Sequence, residues 1–172
     1  MKKIFIFSLS FHLHTREGMV HLWCRWARVG NFFGTYSRTL DDKNRLQIPT
    51  KLVESMPSRF YVLRGFEGCL SVYPEENFQK LLTSLQTLSF YDEANRAYIR
   101  LAISSACEMD VDSHGRIALT KQLVDDYRIG KSITIIGVLD HFEIWDEMSY
   151  AKYLLANSKD FESLAERTSH NG

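Results

Sequence analysis

The chain has 172 residues, 45% of them hydrophobic and 24% charged, which suits one compact domain or two very small ones with a real core. Its 21 basic and 21 acidic residues cancel, so the overall charge gives no support to non-specific nucleic-acid binding. The three cysteines, Cys24, Cys69 and Cys107, have no Cys-x-x-Cys spacing and read as small hydrophobes in a reducing compartment rather than as a disulfide framework.

The first thirty residues stand apart. "MKKIFIFSLSF" imitates a signal peptide, but "HLHTREG" follows where small residues should mark cleavage, and the apolar run is too short to span a bilayer. His12, His14, His21 and Cys24 gather there without a recognisable zinc spacing. The favoured reading is an atypical extension, residues 1–31, outside the fold. It carries five of the basic residues and one acidic residue, leaving the remainder acidic by four charges. Any basic site must therefore be local.

From Phe33, "FGTYSRTLD" alternates and is rich in Thr and aromatics, which predicts a strand. "DDKN" predicts a turn and "RLQI" a returning strand, giving a hairpin. Pro49 and Thr50 open a short helix, "TKLVESM". "RFYVLRGFEGCLSVY" reads as two strands joined at Gly-Phe-Glu-Gly, and "PEENFQKLLTSLQTL" as a helix with acids in its first turn. Ala94, Ala97, Tyr98, Leu101 and Ala102 share one face of a second helix.

The pattern then begins again. "CEMDVDSHGRIAL" is strand, turn and strand. "TKQLVDDYRIG" is a helix with Thr120 as N-cap and Gly130 as stop, and "SITIIGVLDHFEIWDEMSYAKYLL" gives two strands and a helix. The copies are offset by 71 positions and later by 72, so that Leu70 and Val72 match Phe142 and Ile144, Tyr73 matches Trp145 and Phe78 matches Tyr150. Leu70, Val72 and Tyr73, with Phe142, Ile144 and Trp145, are expected in the core or at a subunit interface. The chain is one duplicated unit with a single-residue adjustment.

Each copy carries Asp-x-x-x-Arg. Asp41 and Asp112 can accept a backbone N–H two residues on, and Asn44 and Gly115 tolerate positive φ. Arg45 and Arg116 open the returning strands, where an Asp–Arg ion pair within the turn is the ordinary expectation. No nucleophile elbow, glycine-rich phosphate loop or metal-ligand spacing occurs, and His114 has only Lys43 as its counterpart, so no catalytic residues, metal or cofactor are assigned.

The ordered pair "LDDKNRLQIP" and "VDSHGRIAL", with "RGFEGCLSVYPEENFQKL" and "GVLDHFEIWDEMSYAKYL" behind them, resembles the MraZ family of bacterial transcriptional regulators, whose halves are AbrB-like. The resemblance runs from about Phe32 to about Arg167. It implies an α+β fold of two tandem repeats, 32–104 and 105–168, forming a swapped-hairpin, barrel-like β core with outer helices. It also implies a ring-shaped homo-oligomer in the cytoplasm and nucleoid, binding double-stranded DNA at repeated boxes upstream of the division and cell-wall gene cluster, with no membrane or small-molecule partner. Family DNA binding matches onto Arg45 first and Arg116 second. Arg38, Lys43 and Lys51 lie nearby in sequence as candidate phosphate contacts. Asn44 departs from the glycine usual in the first copy. An AbrB-like antitoxin or a protein scaffold that does not read DNA is the alternative.

Overall fold

The computed structural model describes residues 31–54 and 59–169. The first half contributes β1 (Thr35–Thr39), β2 (Arg45–Gln47), α1 (Thr50–Val53), β3 (Arg59–Arg64), β4 (Leu70–Pro74), α2 (Glu75–Gln86) and α3 (Glu93–Ser104). The second contributes β5 (Cys107–Asp110), β6 (Arg116–Ala118), α4 (Lys121–Asp126), β7 (Ser132–Val138), β8 (His141–Asp146) and α5 (Glu147–Asn157). A short 3-10 turn, Ser158–Asp160, then leads to α6 (Phe161–Ser169). The order strand, strand, helix, strand, strand, helix recurs, as the duplicated sequence requires. The alternative readings of the N-terminal segment, including its His and Cys cluster, concern residues 1–30, outside the described residues.

Six strands form one antiparallel sheet in the order β1-β7-β8-β4-β3-β5, and β2 and β6 form a separate two-stranded ribbon. The fold is α+β. The large sheet is open, with β1 and β5 as its edges, and does not close into a barrel. The two halves interlock. β1 of the first pairs with β7 of the second, β5 of the second pairs with β3 of the first, and the ribbon takes one strand from each.

The predicted β1–β2 hairpin is therefore only a turn. The backbone reverses at Asp41–Arg45 and a single bridge, Leu40↔Leu46, forms before the arms part. Turn chemistry fixes the reversal, but the ladder with most to gain chooses the partner, and β1 finds five register pairs on β7. By contrast β3 and β4 pair directly, turning at Gly65–Cys69 with Glu67 and Gly68 at positive φ.

Alternation divides the sheet into two faces. One face supplies Phe60, Val62, Leu70, Val72, Ile133, Ile135, Phe142 and Ile144, which form one core cluster with Leu46 and Ile117 of the ribbon and Leu52 and Leu123 of the short helices. Of the matched strand positions, Leu70, Val72, Phe142 and Ile144 lie in this core, while Tyr73 is half-buried and Trp145 is buried on the opposite face. The opposite face is more polar at its centre, with Ser71 cross-strand to Glu143. Trp145 is buried there beneath Tyr150 and Tyr153 of α5, and its indole N–H donates to Glu143 Oε2 at 2.8 Å. Over β3, Phe78 of α2 stacks on Tyr61 with ring centroids 4.1 Å apart.

Two local expectations change. On α3 only Ala102 is buried; Ala94, Ala97, Tyr98 and Leu101 face outward, Leu101 with 57% of its surface exposed. Helical spacing predicts which residues share a face, not what covers it. α4 also stops before Gly130: Arg128 takes φ +51, and the Ile129 N–H bonds back to Val124 O at 2.9 Å. The Thr120 cap forms as expected, its hydroxyl accepting the Leu123 N–H.

Candidate nucleic-acid interface

The two Asp-x-x-x-Arg segments meet at the ribbon. Its register places Arg45 opposite Ala118, Leu46 opposite Ile117 and Gln47 opposite Arg116. Side chains alternate, so Leu46 and Ile117 point into the core while Arg45, Gln47, Arg116 and Ala118 share the outward face. Arg45 and Arg116 are then diagonal neighbours, about 7–8 Å apart in backbone.

Each turn is built the same way. Asp41 Oδ1 accepts the N–H groups of Lys43 and Arg45 at 2.9 and 2.8 Å, and Asp112 Oδ1 accepts those of His114 and Arg116 at 2.8 and 2.9 Å. Asn44 and Gly115 hold φ at +56 and +76, the left-handed region each turn needs. The turns also hold one another: the Ile48 N–H donates to Gly115 O at 3.0 Å, and the Leu119 N–H to Asn44 O at 2.9 Å. Successive N–H groups converging on one carboxylate oxygen are why these loops keep one shape while exposed.

The arginines close the loops differently. Arg45 Nε donates to Asp41 Oδ2 at 2.7 Å. Arg116 brings both Nε and Nη2 onto Asp112 Oδ2, each at 2.8 Å. The expected ion pair is present in both copies. The Arg116 guanidinium, then its backbone N–H, holds the Asp112 carboxyl down to about 2. The Asp41 carboxyl is also lowered, with the Arg45 backbone N–H acting more strongly than its guanidinium.

The other candidates are less concentrated. Lys43 is exposed at the tip of the first turn, and Lys51 is exposed in the first turn of α1, next along the chain from the ribbon. Arg38 lies on β1, in the large sheet, where its Nη1 donates to Ser37 O. Asp42 pairs with Lys131 at 3.0 Å, offsetting part of the positive charge near the first turn.

One residue escaped the motif. Gln47 Nε2 donates across the ribbon to His114 O at 3.0 Å and Gly115 O at 3.1 Å. Its counterpart in the second copy is Ala118. The broken repeat was a readable signal, but only the antiparallel ribbon explains why it matters. Among the described residues no group of three or more His, Cys, Asp and Glu side chains converges to hold a metal, and no helix is long and apolar enough to cross a membrane.

Twinned Asp–Arg turns on a ribbon shared by interlocked halves define an internally duplicated α+β protein. The family model of the MraZ protein, described as antitoxin-like, matches residues 31–101 and again residues 102–171. The chain is 40% identical over 136 residues to a transcriptional regulator MraZ of Mesoplasma florum, covering 78% of this chain and 93% of that protein. It is 36% identical over 141 residues to one from Clostridium beijerinckii, covering 82% and 99%, and 35% identical over 136 residues to one from Moorella thermoacetica, covering 79% and 95%. The chain belongs to the MraZ family.

Proposed function

We propose that this protein is a sequence-specific DNA-binding regulator of transcription that reads repeated boxes upstream of the division and cell-wall gene cluster as a ring-shaped oligomer in the cytoplasm. The observation that carries the reading is the outward face of the ribbon, where the arginines of both copies stand side by side on preorganised turns. A two-stranded ribbon fits a major groove, and arginine can bond guanine O6 and N7 together. Arg45 is the leading base or phosphate contact and Arg116 the second. Lys43 at the tip of the first turn, Lys51 in α1 and Arg38 on β1 are the candidate phosphate contacts. Each arginine exchanges an exposed carboxylate partner for DNA, an exchange that costs little because exposed ion pairs are weak.

Assembly is integral to this reading. Residues 32–172 are acidic by four charges, so one subunit should bind weakly, whereas a ring on several boxes gains through effective concentration. The outward apolar face of α3, with Tyr98 and Leu101, supports association of copies. The same reading takes the units 32–104 and 105–168 as two repeats that exchange strands, β1 onto β7 and β5 onto β3. Fluorescence anisotropy with the chain's own upstream DNA, run across a salt series, tests it. A box preference above the salt-dependent background is expected. Arg45→Ala should weaken box binding by roughly five- to 150-fold per site, the worth of a bidentate arginine, with oligomer size unchanged. Unchanged affinity in that variant overturns the assignment. No specific binding by the assembled protein favours the scaffold alternative.

A further inference from the structure

We propose that Gln47 is a cross-repeat brace that holds the second turn more firmly than the first, so the two arginines of the duplicated motif have unequal tasks. This rests on the DNA-binding reading above.

The Gln47 amide nitrogen faces three carbonyl oxygens: His114 O at 3.0 Å, Gly115 O at 3.1 Å and Ile48 O at 3.4 Å. An amide oxygen in that position would meet three acceptors and no donor, so the nitrogen's placement follows from chemistry. With its hydrogens committed to the opposite turn, Gln47 cannot read adenine with the paired donor and acceptor that glutamine otherwise offers. It is a positioning residue.

The brace also accounts for a difference between the copies. A Cβ on residue 115 would lie 3.0 Å from Gln47 Nε2, so a side chain there would press on the brace, in addition to meeting the turn's φ of +76. The equivalent crossing toward Asn44 starts from Ala118, which has no polar side-chain atom and does not reach. The first turn therefore accommodates asparagine freely, while glycine in the second leaves the Gln47 amide its room. Gln47 with Gly115, and Ala118 with Asn44, are matched choices across one approximate two-fold axis.

Three attachments accumulate on the second turn: the Asp112 carboxylate, two guanidinium N–H groups on one of its oxygens, and the Gln47 amide. The first turn has the Asp41 carboxylate, one guanidinium N–H and the exposed Asp42–Lys131 pair, and among the described residues no side chain reaches its carbonyls across the ribbon as Gln47 reaches those of the second. Arg45 has less to break before it meets a base, and the second turn holds the far side of the ribbon in register.

The Arg45 and Arg116 backbone N–H groups are symmetric probes, each bonded to its own aspartate Oδ1. Hydrogen–deuterium exchange on the full assembled protein, resolved to single residues by fragmentation mass spectrometry, should show Arg116 exchanging about fivefold or more slowly than Arg45, the effect of one net hydrogen bond. Gln47→Ala should bring Arg116 to the rate of Arg45 and leave Arg45 unchanged. Gln47→Glu should do the same at neutral pH, and the ratio should partly return near pH ~4, where a protonated acid can donate again. Equal rates in the parent protein, or a ratio unmoved by Gln47→Ala, overturn the brace. On box DNA, Gln47→Ala should lose roughly fivefold in affinity with an unchanged salt slope, because no phosphate contact is removed. Unchanged affinity overturns the positioning role. Failure of the parent protein to bind any box overturns the regulator reading alone, and the exchange ratio still decides the brace.

Discussion

Truncating the buried centre of the ribbon tests how it is mounted. Leu46 and Ile117 are directly opposite each other, and neither has any exposed surface. Their side chains anchor an exposed three-residue ladder to the main core, and little else apolar in the ribbon does so. Leu→Ala at a fully enclosed site costs about 2–5 kcal/mol in lost transfer energy and residual cavity. Complete enclosure with partial collapse of the neighbours puts Leu46→Ala near the middle of that range, about 3–4 kcal/mol. With a urea slope of about 2 kcal/mol/M, the midpoint should fall by about 1.5–2 M. Ile117→Ala should cost a similar amount. The double variant should cost less than the two together by about 0.5 kcal/mol or more, because each truncation enlarges the same void. Urea unfolding followed by tryptophan fluorescence measures all three. Single losses below about 1 kcal/mol, or strict additivity, would show that the pair does not share one enclosed site.

Two pH effects follow from the charged sites. Asp112 has its folded carboxyl held at about 2, below its unfolded value, so its contribution is present above pH ~4 and is lost as pH falls toward 2. Asp112→Asn should flatten that part of an acid titration of thermal stability, and an unchanged profile refutes the role of the turn. His141 behaves oppositely. Burial lowers its affinity for a proton, but Glu143 and Asp140, the latter 2.8 Å from Nδ1, outweigh burial and raise it above its ordinary 6.5. Its contribution is full below pH ~6.5 and is lost as pH rises through the elevated value. Calorimetry from pH 6 to 9 should show a fall in Tm that His141→Gln removes.

The duplicated order and the core were legible because both are local. Strand alternation alone marks Leu70, Val72, Phe142 and Ile144, and turn chemistry marks Asp41, Asn44, Asp112 and Gly115 as loop-formers. Pairing was not legible. The sequence between Thr39 and Arg45 says that the chain reverses, but β1 and β2 separate to join strands far along the chain. The end of α4 is missed for a related reason: Arg128, not Gly130, takes the left-handed conformation, and arginine gives no propensity signal for it. At the site, the aspartates and arginines are visible as a motif. Gln47 is not, because its partners are carbonyl oxygens 67 and 68 positions away.

The exchange of edge strands also constrains the order in which the chain can be built. β1 leaves the ribosome early, yet among the described residues its ladder is with β7 at Ser132–Val138, and β3 waits for β5 at Cys107–Asp110. Until the second half emerges, the first presents unpaired strand edges, the feature most apt to recruit another copy. A chain cut between the halves should therefore not stay single. Each half holds both an edge strand and a strand that receives one (β1 and β3 in the first, β5 and β7 in the second), so two identical halves can complete the sheet between them. The full-length protein keeps that partnership within one molecule by covalent linkage.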